Sequence, residues 1–289
     1  MRDYILFIYL AGAVFVPALW DSVNLMAKEK SEVVILCGGE GSRLSEETAL
    51  KPKPMVEIGG KPILWHIMKI YSHYGYNRFV LALGYKADYA KRYFHDYRIT
   101  SSDFTLKMTP HSVPEVHNTL DDSEWEITFV DTGLKTLKGG RIKQVEKYIK
   151  SDNFHLTYGD GVGNINIQKL YDFHLSHNKI ATVTAVRPPS RFGEMVLSGD
   201  KVLKFEEKPQ LGVGVINGGF FVLKKEFMDY LTPDEDCDFE FGALQGLAEG
   251  GELCAYRHTD FWQCMDTTRD RDYLNRLWEN NEAKWKVWK

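Results

Sequence analysis

The sequence predicts an α/β protein, with a mostly parallel central sheet flanked by helices and a smaller β-rich lobe toward the C-terminus. Three observations carry this. Strand and helix patterns alternate through the first half of the chain. A glycine-rich turn directly follows the first apolar run, Val33-Val34-Ile35-Leu36. From Gly193 onward the pattern changes to short strands: Glu194–Leu197, Val202–Phe205, Val215–Val222 and Leu253–Arg257.

Each element has a local reason. The unbroken run Val33 to Leu36 suits a strand buried on both faces. Lys61–Tyr74 is a predicted helix, with Pro62 in its first turn and Gly75 ending it. Ile63, Leu64, Ile67, Met68, Ile70, Tyr71 and Tyr74 form its apolar face. Phe79–Leu83 reads as a second buried strand and Lys86–Tyr93 as a second, short helix. Tyr97–Glu124 is polar and weakly periodic, as expected of an insertion or lid. Ile127–Val130, Phe154–Tyr158 and Ile180–Val186 are further strands, with helices near Arg141–Ile149 and Gln168–His177. Phe239–Glu249 and Thr268–Asn281 complete the helices. Ligands of such sheets bind beyond the carboxyl ends of the strands. The glycine turn, Asp131 and Asp160 all follow strand ends.

Composition narrows the class. Hydrophobic content of 44% and charged content of 26% are ordinary for a globular chain of 289 residues. A net charge of −4 argues against a general nucleic-acid binder but allows a local basic pocket. Cys37, Cys237, Cys254 and Cys264 show no zinc spacing and read as reduced thiols. Residues 31–289 contain no repeat and no linker, so they read as one unit. Residues 1–30 form an apolar extension. Tyr4–Trp20 is uncharged, but it is short of the roughly 20 residues of a membrane span, and Pro17 interrupts it. A signal peptide fits poorly, because Asp3 spoils the basic start and Ala11-Gly12-Ala13 is a weak cleavage site. Translation from Met26 is the favoured reading, with a membrane-associating helix at residues 4–20 as its rival.

The densest chemistry lies in Leu36 to Met55, LCGGEGSRLSEETALKPKPM. Gly38, Gly39 and Gly41 let backbone N–H groups converge on an anion. Arg43 adds a planar cationic fork, and Lys51-Pro52-Lys53-Pro54 holds two cations in a stiff frame. Together they suggest a polyphosphate site, although the spacing is not that of a Walker loop. The stretch resembles the signature of the sugar-1-phosphate nucleotidylyltransferases. LSEET followed by KPKPM looks most like the glucose-1-phosphate cytidylyltransferase group.

That resemblance implies a Rossmann-like nucleotidyltransferase fold and Mg²⁺-dependent synthesis of CDP-glucose and pyrophosphate from CTP and α-D-glucose 1-phosphate. It also implies a role in deoxysugar and surface-polysaccharide synthesis, a cytoplasmic location and a homo-oligomer. Leu36, Cys37, Gly38, Gly39, Glu40, Gly41, Ser42, Arg43, Lys53 and Gly159 would hold the nucleotide, with Arg43 and Lys53 on the leaving pyrophosphate. Asp160 in Gly159-Asp160-Gly161 and Asp266 in Met265-Asp266-Thr267 match the family's metal aspartates. Taken alone, Asp160 would read as a turn residue and Asp266 as a helix N-cap. Glu207-Lys208-Pro209 resembles the family's EKP motif, with Lys208 on the sugar phosphate and Glu207 on sugar hydroxyls. Asn217 is a further sugar contact, and Arg191-Phe192-Gly193 would close over the hexose through backbone at Gly193. In place of the Gln-Pro-x-Gly-Leu loop of thymidylyl and uridylyl enzymes, the chain has Asp131-Thr132-Gly133 and Thr136-Leu137-Lys138-Gly139-Gly140-Arg141. This is similar to the cytidylyl type, with Thr136 and Arg141 as candidate donors to the base or ribose. Lys138 departs from the usual Thr. For Arg141 the alternative is a charge on a solvated helix.

His174 and His177 share a helix face without an acidic partner and read as solvated. Trp278, Trp285 and Trp288 are expected to dock the C-terminal tail on its own core or on a neighbour. Two rival functions remain open: the same chemistry with another base or sugar, and a non-catalytic sugar-nucleotide-binding regulatory subunit. A chain starting at Met26 is expected to be fully active and as stable as the longer one. It should also lose any vesicle binding that the longer chain shows, as flotation and thermal unfolding would report.

Overall fold

The computed structural model describes residues 31–41, 44–117, 124–187, 194–198, 200–206 and 214–289. The expected extension 1–30, Ser42, Arg43, Arg191-Phe192-Gly193 and Glu207-Lys208-Pro209 lie outside these residues. Among the described residues the central sheet has eight strands. In chain order they are β1 (Glu32–Cys37), β2 (Arg78–Leu83), β3 (Glu126–Asp131), β4 (Asn153–Tyr158), β5 (Ala181–Val186), β6 (Ile216–Asn217), β7 (Phe221–Lys224) and β8 (Leu253–His258). Helices α1 (Ile63–His73), α2 (Ala87–Thr100), α3 (Lys138–Gln144), α4 (Ile167–His177) and α5 (Thr268–Glu279) cover it.

β1 is buried along its whole length, as its apolar run predicts, and pairs in parallel with β2 on one edge and β4 on the other. β3 extends the parallel set beyond β2. On the far side β7 runs antiparallel between β4 and β5, and β8 returns parallel to β5. The chain therefore builds outward from β1 through β2 and β3, then crosses to β4. The β1–β4 boundary is the point where strand order reverses and loops diverge, which is where such sheets open a crevice.

The elements differ from the sequence expectation in instructive places. α1 begins at Ile63 because Lys61-Pro62 pairs instead with Glu57-Ile58 in a small hairpin. α2 runs on to Thr100, since Tyr97 is still a core residue and its hydroxyl accepts the Trp65 indole N–H at 2.7 Å. The expected insertion is therefore helix up to Thr100, followed by a hairpin of Phe104-Thr105 with Glu115-Val116. Val215–Val222 is not one strand. It breaks at Gly218-Gly219-Phe220, where Gly219 and Phe220 take φ of +74° and +47°. Val186 lies so close that a Cβ on Gly218 would sit 2.5 Å from its methyl group. The Glu194–Ser198 and Lys201–Glu206 hairpin forms its own two-stranded sheet. Phe239–Leu244 is a π-helical turn leading into the α-turn Gln245–Glu249. No helix among the described residues is long and apolar enough to cross a membrane.

The reading of His174 and His177 as solvated changes. His174 is buried, not solvated. A directed chain explains how: Lys179 N–H donates to His177 Nδ1 and His177 Nε2 lies 2.8 Å from Thr182 Oγ1. Thr182 in turn meets His174 Nδ1 at 2.9 Å, and His174 Nε2 meets Asn153 Oδ1 at 3.1 Å. Every partner is satisfied with both rings neutral. His66, buried in α1, meets the Ile58 carbonyl at 2.9 Å and accepts the Trp285 indole N–H at 3.3 Å. Trp285 is fully buried, so the C-terminal tail docks on its own core through this contact.

Burial, the largest cause in both cases, lowers the His66 and His174 imidazoles to about 4. The unfolded chain takes up these protons near pH 6.5 and the folded one only near 4. Stability is thus complete above pH 6.5 and falls as pH drops toward 4, by about 1.4 kcal/mol per pH unit for each ring. Unfolding free energies measured across that range should show this slope, and His174→Gln should about halve it, leaving the His66 share.

Candidate active site

The cleft, about 580 Å³, opens at the carboxyl ends of β1 and β4. Leu36, Cys37, Gly38, Gly39, Glu40 and Gly41 form one wall, and Lys53-Pro54 and Gly159-Asp160 the floor. Residues 134–138 and Arg141 form the opposite wall. Sequence reasoning placed most of these residues together, and the fold does so.

The floor depends on close approach. The Gly159 N–H donates to the Leu36 carbonyl at 3.0 Å. A Cβ on Gly159 would sit 2.7 Å from that oxygen, so only glycine lets β4 end against β1 here. Gly41 takes φ +66°, and a Cβ there would crowd Lys53 and Thr48 at 3.0 Å. Pro52 is extended, and the Lys53–Met55 3₁₀ turn buries Pro54 and Met55, so the stem of Lys53 has a fixed origin.

Asp160 and Asp266, far apart in sequence, meet through a short ladder. Gly161–Gly163 pairs antiparallel with Trp262–Cys264, and the Met265 N–H donates to the Asp160 carbonyl at 2.8 Å. Lys53 Nζ then lies 2.5 Å from Asp160 Oδ2 and 2.5 Å from Asp266 Oδ1. Burial alone would lower the Lys53 ammonium, but the two carboxylates outweigh it and raise it above its ordinary value. The N-cap alternative for Asp266 fails, because Thr267 caps α5 in a capping box with Asp270. The Cys264 thiol is pushed up to about 12, first by burial and then by Asp266, so it is an inert neighbour.

This donor set fits a hard divalent cation. Two carboxylates already share one positive charge at contact distance, and Mg²⁺ is commonly bound by one or two carboxylates plus substrate phosphates. Among the described residues no three His, Cys, Asp or Glu side chains converge to hold a metal unaided. Oxygens from a bound phosphate would complete the shell.

Arg141 is the residue whose place the sequence could not fix. It is buried, so the solvated-helix alternative is excluded. Its Nη1 donates to Thr132 Oγ1 and the Gly133 carbonyl at 2.7 Å and to the Leu83 carbonyl at 3.1 Å. Nη2 donates to the Leu134 carbonyl at 3.2 Å. Gly38 and Gly84 leave room for the guanidinium, since a Cβ on either would lie within 2.4 Å of it. Arg141 thus ties together the ends of β1, β2 and β3 and shapes the loop that carries Thr136. Asn217 is exposed, its Nδ2 donating to Oη of the cleft-lining Tyr158 at 2.8 Å. Tyr158, Glu240 and Trp262 are site neighbours that the motifs did not reveal. The Trp262 indole donates to the Gly218 carbonyl at 2.8 Å.

Residues 32–277 match the family model described as nucleotidyl transferase. The chain belongs to the nucleotidyl transferase family. It is 48% identical over 258 residues to the glucose-1-phosphate cytidylyltransferase of Salmonella typhi, covering 89% of this chain and 99% of that protein. The Salmonella typhimurium protein of the same description matches equally, at 48% identity and the same coverage. Among solved structures, HddC from Yersinia pseudotuberculosis complexed with GMP-PN superposes with a TM-score of 0.61 at 26% identity, covering 86% of this chain and 99% of that one. The inositol-1-phosphate CTP transferase from T. maritima shares the fold, with a TM-score of 0.58 at 16% identity over 90% of this chain and 99% of that one. The protein is therefore a nucleotidyltransferase, and enzymes of this family generally use a divalent metal.

Replacing Arg141 by Lys should destabilise the protein by about 2–3 kcal/mol, because an ammonium cannot serve the Leu83, Thr132, Gly133 and Leu134 acceptors at once. Urea unfolding of the two proteins side by side measures this.

Proposed function

We propose that the protein transfers the cytidylyl group of CTP to α-D-glucose 1-phosphate, releasing pyrophosphate and forming CDP-glucose. One observation carries the reading: Lys53, Asp160 and Asp266 converge at contact distance on the floor of the glycine-loop cleft. The 48% identity to glucose-1-phosphate cytidylyltransferase supports the choice of base and sugar.

A phosphate oxygen of the sugar 1-phosphate attacks the α-phosphorus, and the bond to the bridging oxygen breaks. Charge grows on the departing pyrophosphate, and the protein's task is to hold both polyanions and neutralise that charge. Backbone N–H groups from Gly38 to Gly41, with Ser42 and Arg43, take the triphosphate. Thr136 and the loop pinned by Arg141 face the base and ribose. Gly193, Glu207, Lys208 and Asn217 take the sugar phosphate. Asp160 and Asp266 would hold Mg²⁺, which would supply positive charge to phosphate oxygens. The Lys53 ammonium neutralises charge on the leaving phosphates. A regulatory subunit without catalysis has no need of this three-residue convergence. A cytoplasmic location, where CTP is present, and a homo-oligomer belong to the same reading. So does the division into an apolar extension, residues 1–30, and a catalytic domain, residues 31–289.

Pyrophosphate release across CTP, UTP, dTTP and GTP with several sugar 1-phosphates tests the reading. CTP with glucose 1-phosphate should be fastest, and faster turnover with another base would overturn the assignment. Asp160→Asn and Asp266→Asn should each fold normally and lose about 10²-fold or more in turnover. Both should also bind Mn²⁺ more weakly in the presence of CTP, read by electron paramagnetic resonance independently of activity.

A further inference from the structure

A chain of polar side chains borders the cleft without belonging to any sequence motif. The Tyr158 hydroxyl, at the end of β4, donates to Glu240 Oε1 at 2.9 Å. Glu240 comes from the π-helical turn, an uncommon element often found at functional sites. Lys138, at the start of α3, pairs with the same carboxylate oxygen and stands 5.4 Å over the Tyr158 ring. At the other end, Asn217 Nδ2 donates to Tyr158 Oη at 2.8 Å, and Asn217 Oδ1 accepts the Gly219 N–H at 2.9 Å. Tyr158 and Lys138 both line the cleft, and Asn217, joined to Tyr158, is exposed.

The direction of every bond in this chain is fixed from both ends, by the Glu240 carboxylate at one and at the other by the Gly219 N–H, which can only donate. An ionised carboxylate only accepts, so the Tyr158 hydroxyl must spend its single proton on Glu240. The Tyr158 oxygen must then accept, so Asn217 must turn its NH₂ toward it. The carbonyl of that amide is left to the Gly219 N–H. Lys138 places its ammonium on the same carboxylate oxygen. Burial first and the Glu240 charge second raise the Tyr158 phenol far above its ordinary value, so its proton is not lost. Asn217 is left with one N–H and one carbonyl lone pair, in a fixed orientation. A donor beside an acceptor at fixed spacing matches two neighbouring hydroxyls of a polyol. Glu240 Oε2 is buried with no partner among the described residues.

We infer that Glu240 is a positioning residue that, through Tyr158, sets the orientation of the Asn217 amide and thereby selects among epimers of the sugar 1-phosphate. The inference rests on the reading of the cleft as a sugar 1-phosphate site. Sugar selectivity is then built into the polarity of a hydrogen-bond chain, and Glu240 acts on the sugar without touching it. The base end of the cleft is served by other residues.

The test uses the full-length enzyme with CTP and either glucose 1-phosphate or galactose 1-phosphate. If the wild type turns over neither sugar with CTP, the underlying reading fails and not this inference alone. Given wild-type turnover, Glu240→Gln and Tyr158→Phe should each raise KM for glucose 1-phosphate about five- to tenfold, the scale of one hydrogen bond, and leave KM for CTP within about twofold. The preference for glucose over galactose 1-phosphate should shrink by a similar factor, because Gln can donate or accept and no longer fixes the chain. Asn217→Ala should show the same loss, and Tyr158→Phe added to it should cost nothing further, since both act through one amide. Full additivity of those two changes, or parallel rises in both KM values, would mark a merely structural role and overturn the inference. An unchanged sugar KM with a collapsed preference for CTP over UTP would overturn it too, by assigning the chain to the base. Tyr158→Phe deletes one oxygen only, so it keeps the test valid if Glu240→Gln folds poorly.

Discussion

The site depends on β1 being hydrogen-bonded in parallel along both edges. A strand in that position is fully buried, and its carboxyl end must deliver the chain into a turn with neighbours on each side. The turn has no room for side chains at Gly38, where the Arg141 guanidinium already lies, or at Gly159, where the Leu36 carbonyl does. The glycines are thus a consequence of sheet geometry before they serve any ligand. The same turn, from Leu36 to Gly41, lines the cleft.

Charge imposes the second constraint. Two carboxylates brought together by the Gly161–Gly163 and Trp262–Cys264 ladder would repel one another in a half-buried cleft. Lys53 resolves the conflict in the protein as it stands, held in reach by the Pro52 and Pro54 frame. A residue suited to stabilising phosphate charge therefore also keeps the floor together between turnovers. The stiffness of the proline frame fixes where the lysine stem begins and leaves its ammonium free to choose among nearby oxygens.

Much of this is legible in the sequence, for physical reasons. Val33–Leu36 announces a doubly buried strand because an edge or surface strand would alternate. Asp160 and Asp266 are legible through the family resemblance alone, because flanking glycines otherwise read as a turn and a following helix as a reason for an N-cap. What escapes is direction in short elements. α3 is seven residues long, too short for periodicity to show that Arg141 faces inward. α4 has the length, but no rule assigns His174 to the core until Thr182 and Asn153 are seen beside it. The extent of α2 escapes because Tyr97 is apolar only in the company of Trp65. Tyr158, Glu240 and Asn217 come from three separate segments. Their side chains are of types common on surfaces, so no local pattern joins them.

The ladder that unites Asp160 with Asp266 also sets an order on biosynthesis. The glycine turn, Lys53 and the parallel strands β1 to β4 leave the ribosome well before residue 262 does. Trp285, which seats the tail against His66, follows later still. A nascent chain can thus assemble the glycine-turn wall of the cleft while half of its acidic pair is still unmade. Products interrupted before Asp266 would carry a recognisable sheet but lack the second carboxylate that holds Lys53.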